Sequence, residues 1–304
     1  MDWHKRKNTK ANNSCYYPRV HYHFISRCLE LAENGRGKVS PNPLVGCVIV
    51  KGGSVLTEGW HSEFGEEHAE LSALRKAGDL ARGGTLYTNI EPCCKQGKQP
   101  PCTDAIIRAG ISTVVFGARD KSNSGSNSLR QNGIEVIGPI AESLCRRFNR
   151  GFFSLSENGR PWVTIKKALT KDMKVAHEHV TSQEQDEWSH MNLRAQHDAI
   201  LVGAGTVVAD DPELNVRFGI EEKRDPIRII LDPNSKVPTD SKVLTDSDAD
   251  RTIVVNEKMP IPDLMELLKE KGISSVLVEG GPKVWESFEK SRIYNEMISI
   301  VEDY

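Results

Sequence analysis

The chain has 304 residues, of which 38% are hydrophobic and 27% charged, and a formal net charge of -2. That length suits two domains, and the composition suits a globular protein rather than a disordered or fibrous one. The balanced charge argues against nucleic acid and anionic membrane as partners, and no apolar run approaches the roughly 20 residues needed to span a bilayer.

Residues 1–19 read as a polar, mildly basic lead-in without the apolar stretch of a secretory signal. The seven cysteines have no framework spacing, so a disulfide scaffold is not expected and a cytoplasmic location is. Residues 20–32 carry apolar side chains at helical spacing, and Asn34-Gly35 supplies a stop. Residues 44–50 suit a buried strand, turned by Gly52-Gly53 into a hairpin partner at 54–58. The spacing then predicts a helix over 66–77, a strand over 86–89, a helix over 103–109 and strands over 113–116 and 134–137. Residues 141–152 read as a connecting helix. A second unit follows, with strands expected at 162–169, 199–202, 227–231, 252–255, 275–278 and 297–301 and helices at 183–194 and 261–271. Alternating strands and helices imply two α/β domains, over 20–155 and 160–304.

The chemistry is concentrated in His68-Ala69-Glu70, Glu91-Pro92-Cys93 and Pro100-Pro101-Cys102. His68, Cys93 and Cys102 supply three zinc ligands, which leaves a fourth position open for water as in catalytic sites. Glu70 is the non-ligand carboxylate that hydrolytic deamination needs as a proton shuttle. A closed structural site would need Cys94 as well, but adjacent cysteines point in different directions. His177 and His179 resemble a second ligand pair, yet no matching cysteine or carboxylate joins them, and a polar loop is expected there.

Nucleic-acid-editing deaminases carry two residues between the cysteines, whereas eight intervene here. With Pro41-Asn42-Pro43, Val45-Gly46 and the metal motifs, the first half resembles the pyrimidine deaminase domain of the bifunctional riboflavin-biosynthesis deaminase-reductase family, the bacterial RibD or RibG type. Residues 162–166, 199–207, 210–214 and 278–281 resemble that family's reductase domain. The resemblance implies a cytidine-deaminase-like three-layer sandwich followed by a dihydrofolate-reductase-like α/β domain. It implies one Zn2+ in the deaminase domain, NADPH in the reductase domain and a small phosphorylated pyrimidine as substrate. It also implies self-association through the reductase halves.

By the same resemblance, Asn42, Lys95, Lys98 and Asp120 contact the deaminase substrate, and Lys166, Asp210, Leu214 and Arg217 the reductase substrate. The cofactor candidates are Thr181, Gly203, Gly205, Thr206, Asp232, Glu279, Gly280 and Gly281. Glycine turns after strands, and a helix start after Gly280-Gly281, let backbone amides approach phosphates.

The chain departs from the family pattern at several points. Lys95 stands where the family has histidine and Gln99 where it has threonine. The usual Asp-Pro-Asn-Pro is Asp120-Lys121-Ser122-Asn123 with a shorter loop after it. The reductase half is expected to be shortened at its C-terminus, with an incomplete sheet and an exposed edge. A related specialised pyrimidine or pteridine deaminase with an inactive second domain is the alternative these departures suggest.

Overall fold

The structure is a computed structural model that describes residues 16–97, 99–174, 181–218 and 225–302. The expected histidine pair at 177 and 179, most of the lead-in and Lys98 lie outside the described residues. Contacts divide the chain into two units. The first comprises the chain up to Asn34 with Leu44–Phe148, and the second comprises Gly35–Pro43 with the chain from Asn149.

The first unit runs α1 (Tyr16–Ala32), β1 (Gly46–Lys51), β2 (Ser54–Trp60), α2 (Ala69–Ala77), β3 (Thr85–Ile90), α3 (Cys102–Arg108), β4 (Thr113–Ala118), α4 (Gly125–Gln131), β5 (Glu135–Ile137) and α5 (Glu142–Phe148). Its sheet has the order β2-β1-β3-β4-β5. β1 is antiparallel to β2 and β3, whereas β3, β4 and β5 are parallel. Gly52 and Gly53 both take positive φ, 59° and 81°, which a side chain resists and a tight hairpin requires. The run of five buried residues in β1 has a simple cause, since helices cover both faces of the strand. A Cβ at Gly46 would meet the Cys28 carbonyl of α1, and one at Gly59 would meet Ala69 and Ala73 of α2. On the α1 side, Gly117 of β4 lies against Cys145 of α5. Helices thus layer both faces, the three-layer sandwich expected.

The second unit adds α6 (Arg150–Asn158), β6 (Trp162–Leu169), α7 (Gln183–Asn192), β7 (Ala199–Gly203), α8 (Ala204–Asp210), β8 (Ile227–Leu231), α9 (Lys242–Thr245), β9 (Thr252–Val255), α10 (Ile261–Glu270), β10 (Ser275–Val278), α11 (Pro282–Ser291) and β11 (Glu296–Val301). Its six strands are parallel in the order β11-β6-β10-β7-β8-β9. Alternate strand residues feed two separate cores. Val163, Ile165, Leu201 and Val278 pack with Leu264, Leu268 and Phe288 of α10 and α11, whereas Ile200, Val202 and Ile230 pack with Val207 and Val243.

Three local expectations change. The helix expected over 141–152 is broken at Asn149, which caps α6, and the two contact units also part there. The helix expected from 66 begins at Ala69, because His68 keeps an extended backbone as its N-cap. Gly205 and Thr206 belong to the first turn of α8 and not to a glycine loop.

Replacing Gly46 by alanine would place a methyl group 2.0 Å from the Cys28 carbonyl oxygen. The substitution should destabilise the first unit by about 1–3 kcal/mol, read as a lower denaturation midpoint for that unit.

Candidate active sites

Three elements each deliver one donor to a single point in the first unit. His68 ends the approach to α2, Cys93 follows β3 across the turn at Glu91-Pro92, and Cys102 opens α3. Their donor atoms lie within 4.8 Å of one another. His68 Nδ1 is 3.2 Å from Cys102 Sγ and 3.6 Å from Cys93 Sγ. A tetrahedral zinc with ordinary bond lengths would separate nitrogen from sulfur by about 3.6 Å, so the trio fits the ion. Cys94 is turned away, its thiol donating to Asn123 Oδ1 at 2.9 Å. Three donors therefore converge, leaving a coordination position for water.

The two sulfurs act strongly on each other. A hydrogen bond from Cys102 is the largest influence on Cys93, and with His68 it pulls that thiol down to about 4. Cys102 is pushed well above the ordinary thiol value by its bond to Cys93 and by burial. Without a cation, the pair shares one proton; a dication stabilises both thiolates. The backbone N–H of Cys102 also donates to Cys93 Sγ at 3.3 Å. Glu70, in the first turn of α2, is only 3% exposed. Burial first, and then the Cys93 thiolate, raise its carboxyl above the usual range. That is the direction a proton shuttle working near neutral pH requires.

The surrounding loops use residues that motif reading passed over. Asn89 is fully buried, accepting from Gly46 N at 2.8 Å and donating to Leu44 O at 2.8 Å. Glu91 accepts from Ser126 N at 2.9 Å and Asp120 N at 3.3 Å, tying the metal turn to the loop before α4. A carboxylate or amide inside an apolar strand end was the signal available for both, since a buried polar group needs partners.

The expected substrate residues divide. Asp120 is buried and accepts from Ser122 N at 2.9 Å and Ser122 Oγ at 2.8 Å, a local turn contact. The ammonium of Lys95 donates to the Ser122 carbonyl, and Gln99 donates to Gly65 O at 2.9 Å. Asn42 lies in Gly35–Pro43, the segment that groups with the second unit.

In the second unit Glu279, at the end of β10, pairs with Arg194 at 2.7 Å and Lys166 at 3.7 Å. Burial alone would raise its carboxyl, but Arg194 and then Lys166 hold it at about 2. His190 is buried beside them, and its Nδ1 accepts from Arg217 N at 3.1 Å. Burial, then Arg194 and Arg217, pull that imidazole down to about 4, so it is neutral at physiological pH. Arg217 and Asp210 are exposed, and Thr181 donates to Asp186 Oδ1 at 2.7 Å.

The glycines of this unit have two different roles. A Cβ at Gly203 or Gly280 would strike Val284 of α11, so these two are required by packing. Gly205 and Gly281 face open space at the starts of α8 and α11, beyond the C-terminal ends of the neighbouring strands β7 and β10. Open backbone at that position fits the phosphates of a dinucleotide. Two further expected contacts have side chains engaged within the unit itself. Leu214 is a buried member of the β7–β8 core, and its side chain is committed to packing. Asp232 accepts from Lys236 N at 2.8 Å and Val237 N at 2.9 Å, so both carboxylate oxygens are engaged by its own turn.

A buried carboxylate beside an open metal trio defines a zinc-dependent aminohydrolase, here joined to a parallel-sheet unit with reductase features. Residues 18–118 match the cytidine and deoxycytidylate deaminase zinc-binding region, and residues 161–302 match the RibD C-terminal domain. Over 91% of its length the chain is 38% identical to the riboflavin biosynthesis protein RibD of Aquifex aeolicus, covering 85% of that protein. It is 34% identical to the Escherichia coli RibD over 91% of the chain and 86% of that protein. The solved structure of Acinetobacter baumannii RibD aligns with a TM-score of 0.83 at 33% identity, covering 93% of this chain and 87% of that one. A Thermotoga maritima deaminase/reductase aligns with a TM-score of 0.80 at 36% identity, covering 90% of this chain and 85% of that one.

The chain belongs to the RibD family of riboflavin biosynthesis proteins. It is an enzyme with a zinc-binding deaminase domain and an NADPH-dependent reductase domain. The shortening expected of the reductase half is minor on the scale of these alignments. Among the described residues no helix is long and apolar enough to cross a membrane.

Replacing Glu279 by glutamine leaves Arg194 a buried, unpaired cation and should destabilise the second unit by about 3–5 kcal/mol. The pH dependence has a definite sign. Glu279 falls from an ordinary 4.5 to about 2 on folding, so its contribution is full above the unfolded value and is lost as pH falls through the folded one. Acid titration of unfolding should therefore be shallower for the variant between those values.

Proposed function

We propose that the first unit deaminates the ribosylated diaminopyrimidine phosphate of riboflavin synthesis and that the second reduces the ribosyl group of the product. The Thermotoga relative is described as a diaminohydroxyphosphoribosylaminopyrimidine deaminase and 5-amino-6-(5-phosphoribosylamino)uracil reductase. The observation that carries the reading is the convergence of His68, Cys93 and Cys102 beside the buried Glu70, whose carboxyl burial raises above the usual range.

Zinc held by His68, Cys93 and Cys102 would supply a water activated for attack at the amino-bearing ring carbon. Glu70 would accept one proton of that water and pass it to the ring nitrogen, then take the remaining hydroxyl proton as the carbonyl forms and give it to the amine as the C–N bond breaks. Burial of Glu70 excludes competing solvent and keeps its carboxyl able to serve in both directions. Asn42, Lys95, Lys98 and Asp120 belong to the pyrimidine and ribose-phosphate side of this reading. Asp120 acts by shaping its loop, and Lys95 by holding Ser122.

In the second unit bound NADPH would supply hydride chemistry at the sugar C1′. Thr206, Gly205 and Gly281 would receive the cofactor's phosphates, for which open space at the two glycines is the support. Lys166, Arg217 and Asp210 would contact the substrate. Glu279 then acts by holding Lys166 and Arg194 in place. Exposed Trp188 and Met191 on α7 support association between copies through this unit, which light scattering on the purified protein tests. We place the enzyme in the cytoplasm, in keeping with the free cysteines among the described residues.

Replacing Glu70 by glutamine should leave zinc bound and lower ammonia release by about 10²- to 10⁴-fold. Oxidation of NADPH should persist when the deaminated product is supplied directly. Undiminished ammonia release by a zinc-loaded variant would remove Glu70 from the proton path.

A further inference from the structure

The metal-bearing turn is gripped by one side chain whose role no motif identifies. Asn123 lies in the loop before α4, where the chain has lost the usual Asp-Pro-Asn-Pro pattern. Its Oδ1 accepts from Cys94 N at 3.1 Å, and its Nδ2 donates to Pro92 O at 2.8 Å. Those two groups belong to the residues on either side of Cys93. In extended chain, the carbonyl of one residue and the N–H two positions later point to the same side, where a neighbouring strand would pair with them. A single amide side chain takes the place of that strand here. On the opposite edge, the Cys93 carbonyl accepts from Thr103 N at 3.1 Å. The backbone of this ligand is therefore held from both sides.

The same oxygen of Asn123 has a second use. It accepts from the Cys94 thiol at 2.9 Å, which keeps that sulfur off the metal position. The neighbouring backbone closes the grip. Gly125 approaches so near that a Cβ there would lie 1.9 Å from Pro92 O, and Ser126 N donates to Glu91 at 2.9 Å.

We propose that Asn123 is a positioning residue of the metal centre, which presents Cys93 to zinc and tethers Cys94 away so that the fourth coordination position stays open. The proposal rests on the zinc reading of His68, Cys93 and Cys102. It adds a specific cause for a three-ligand site in a turn that carries two adjacent cysteines. It also gives the shortened loop a use, since Asn123 stands where the family pattern has a proline, which has no side-chain amide.

The test uses full-length protein carrying Asn123→Ala, the isosteric Asn123→Asp or Cys94→Ser, with zinc affinity measured by competition against a chromogenic chelator. Outer partners of metal ligands commonly contribute about 10- to 100-fold in affinity. Asn123→Ala should lose that much. Asn123→Asp should also bind more weakly, because its carboxylate has no proton to give Pro92 O. Cys94→Ser should stay within about threefold of the parent, since Cys94 is held off the metal and serine can still donate to Asn123. In cobalt-substituted protein the thiolate-to-metal charge-transfer band should change in Asn123→Ala and be retained in Cys94→Ser, a signature that a general loss of stability would not produce. Asn123→Ala within threefold of the parent, with an unchanged cobalt spectrum, overturns the proposal. A loss of affinity in Cys94→Ser does so too, because it would make Cys94 a ligand. Failure of the parent protein to bind zinc would instead refute the underlying zinc reading, so the two failures are distinct.

Discussion

Two cysteine sulfurs and an imidazole nitrogen within 4.8 Å of one another form an arrangement that a divalent cation stabilises, since it lets both sulfurs be thiolates. Much of the first unit follows from that constraint. Ligands from the start of α2, the end of β3 and the start of α3 must meet, so the sheet and both helices have to be in register to within a few tenths of an ångström. The parallel β3–β4 crossover places Cys93 and Cys102 on one connection. His68 arrives from the other side of the hairpin and stops its helix from starting until Ala69. Glu70 shares this helix start and is buried like Cys102, which couples the position of its carboxylate to that of the ligands.

The second unit meets a similar problem with charge instead of sulfur. A buried carboxylate at the end of β10 is stable because Arg194 and Lys166 converge on it from α7's end and from β6. The same strand ends leave Gly205 and Gly281 facing open space, so the cationic cluster and the two open helix starts belong to the C-terminal side of one parallel sheet. That side is where parallel α/β sheets gather their ligands, since the helix N-termini point there. Glycine is required at 203 and 280 for a different reason, the close approach of Val284.

The legibility of the chain differed by the range of the interactions involved. Strand 162–169 was readable to the residue because its apolar run and its flanking turn are local features. The break at Asn149 was not, since the residues on both sides of it are compatible with one continuous helix and only their packing partners differ. In the site, His68, Cys93 and Cys102 were legible because zinc chemistry restricts residue type and spacing strongly. The packing of Leu214 and the turn bonds of Asp232 were not legible, because a motif position says nothing about which way a side chain turns. Asn123 was visible only as a departure from a motif, with nothing in the sequence to show that it reaches the metal-bearing turn.

The sequence by itself determined the class of chemistry, the two α/β units and the three metal-ligand residues, and it singled out Glu70 as the candidate proton carrier. Those follow from residue types whose reactivity is intrinsic, and from periodicities that act over a few residues. Tertiary structure alone decided where the second of the two adjacent cysteines turns, which polar groups are spent on holding loops, and which glycines are open. Each of these depends on atoms brought close from distant parts of the chain, and hydrogen bonds and steric contacts act only over such short distances.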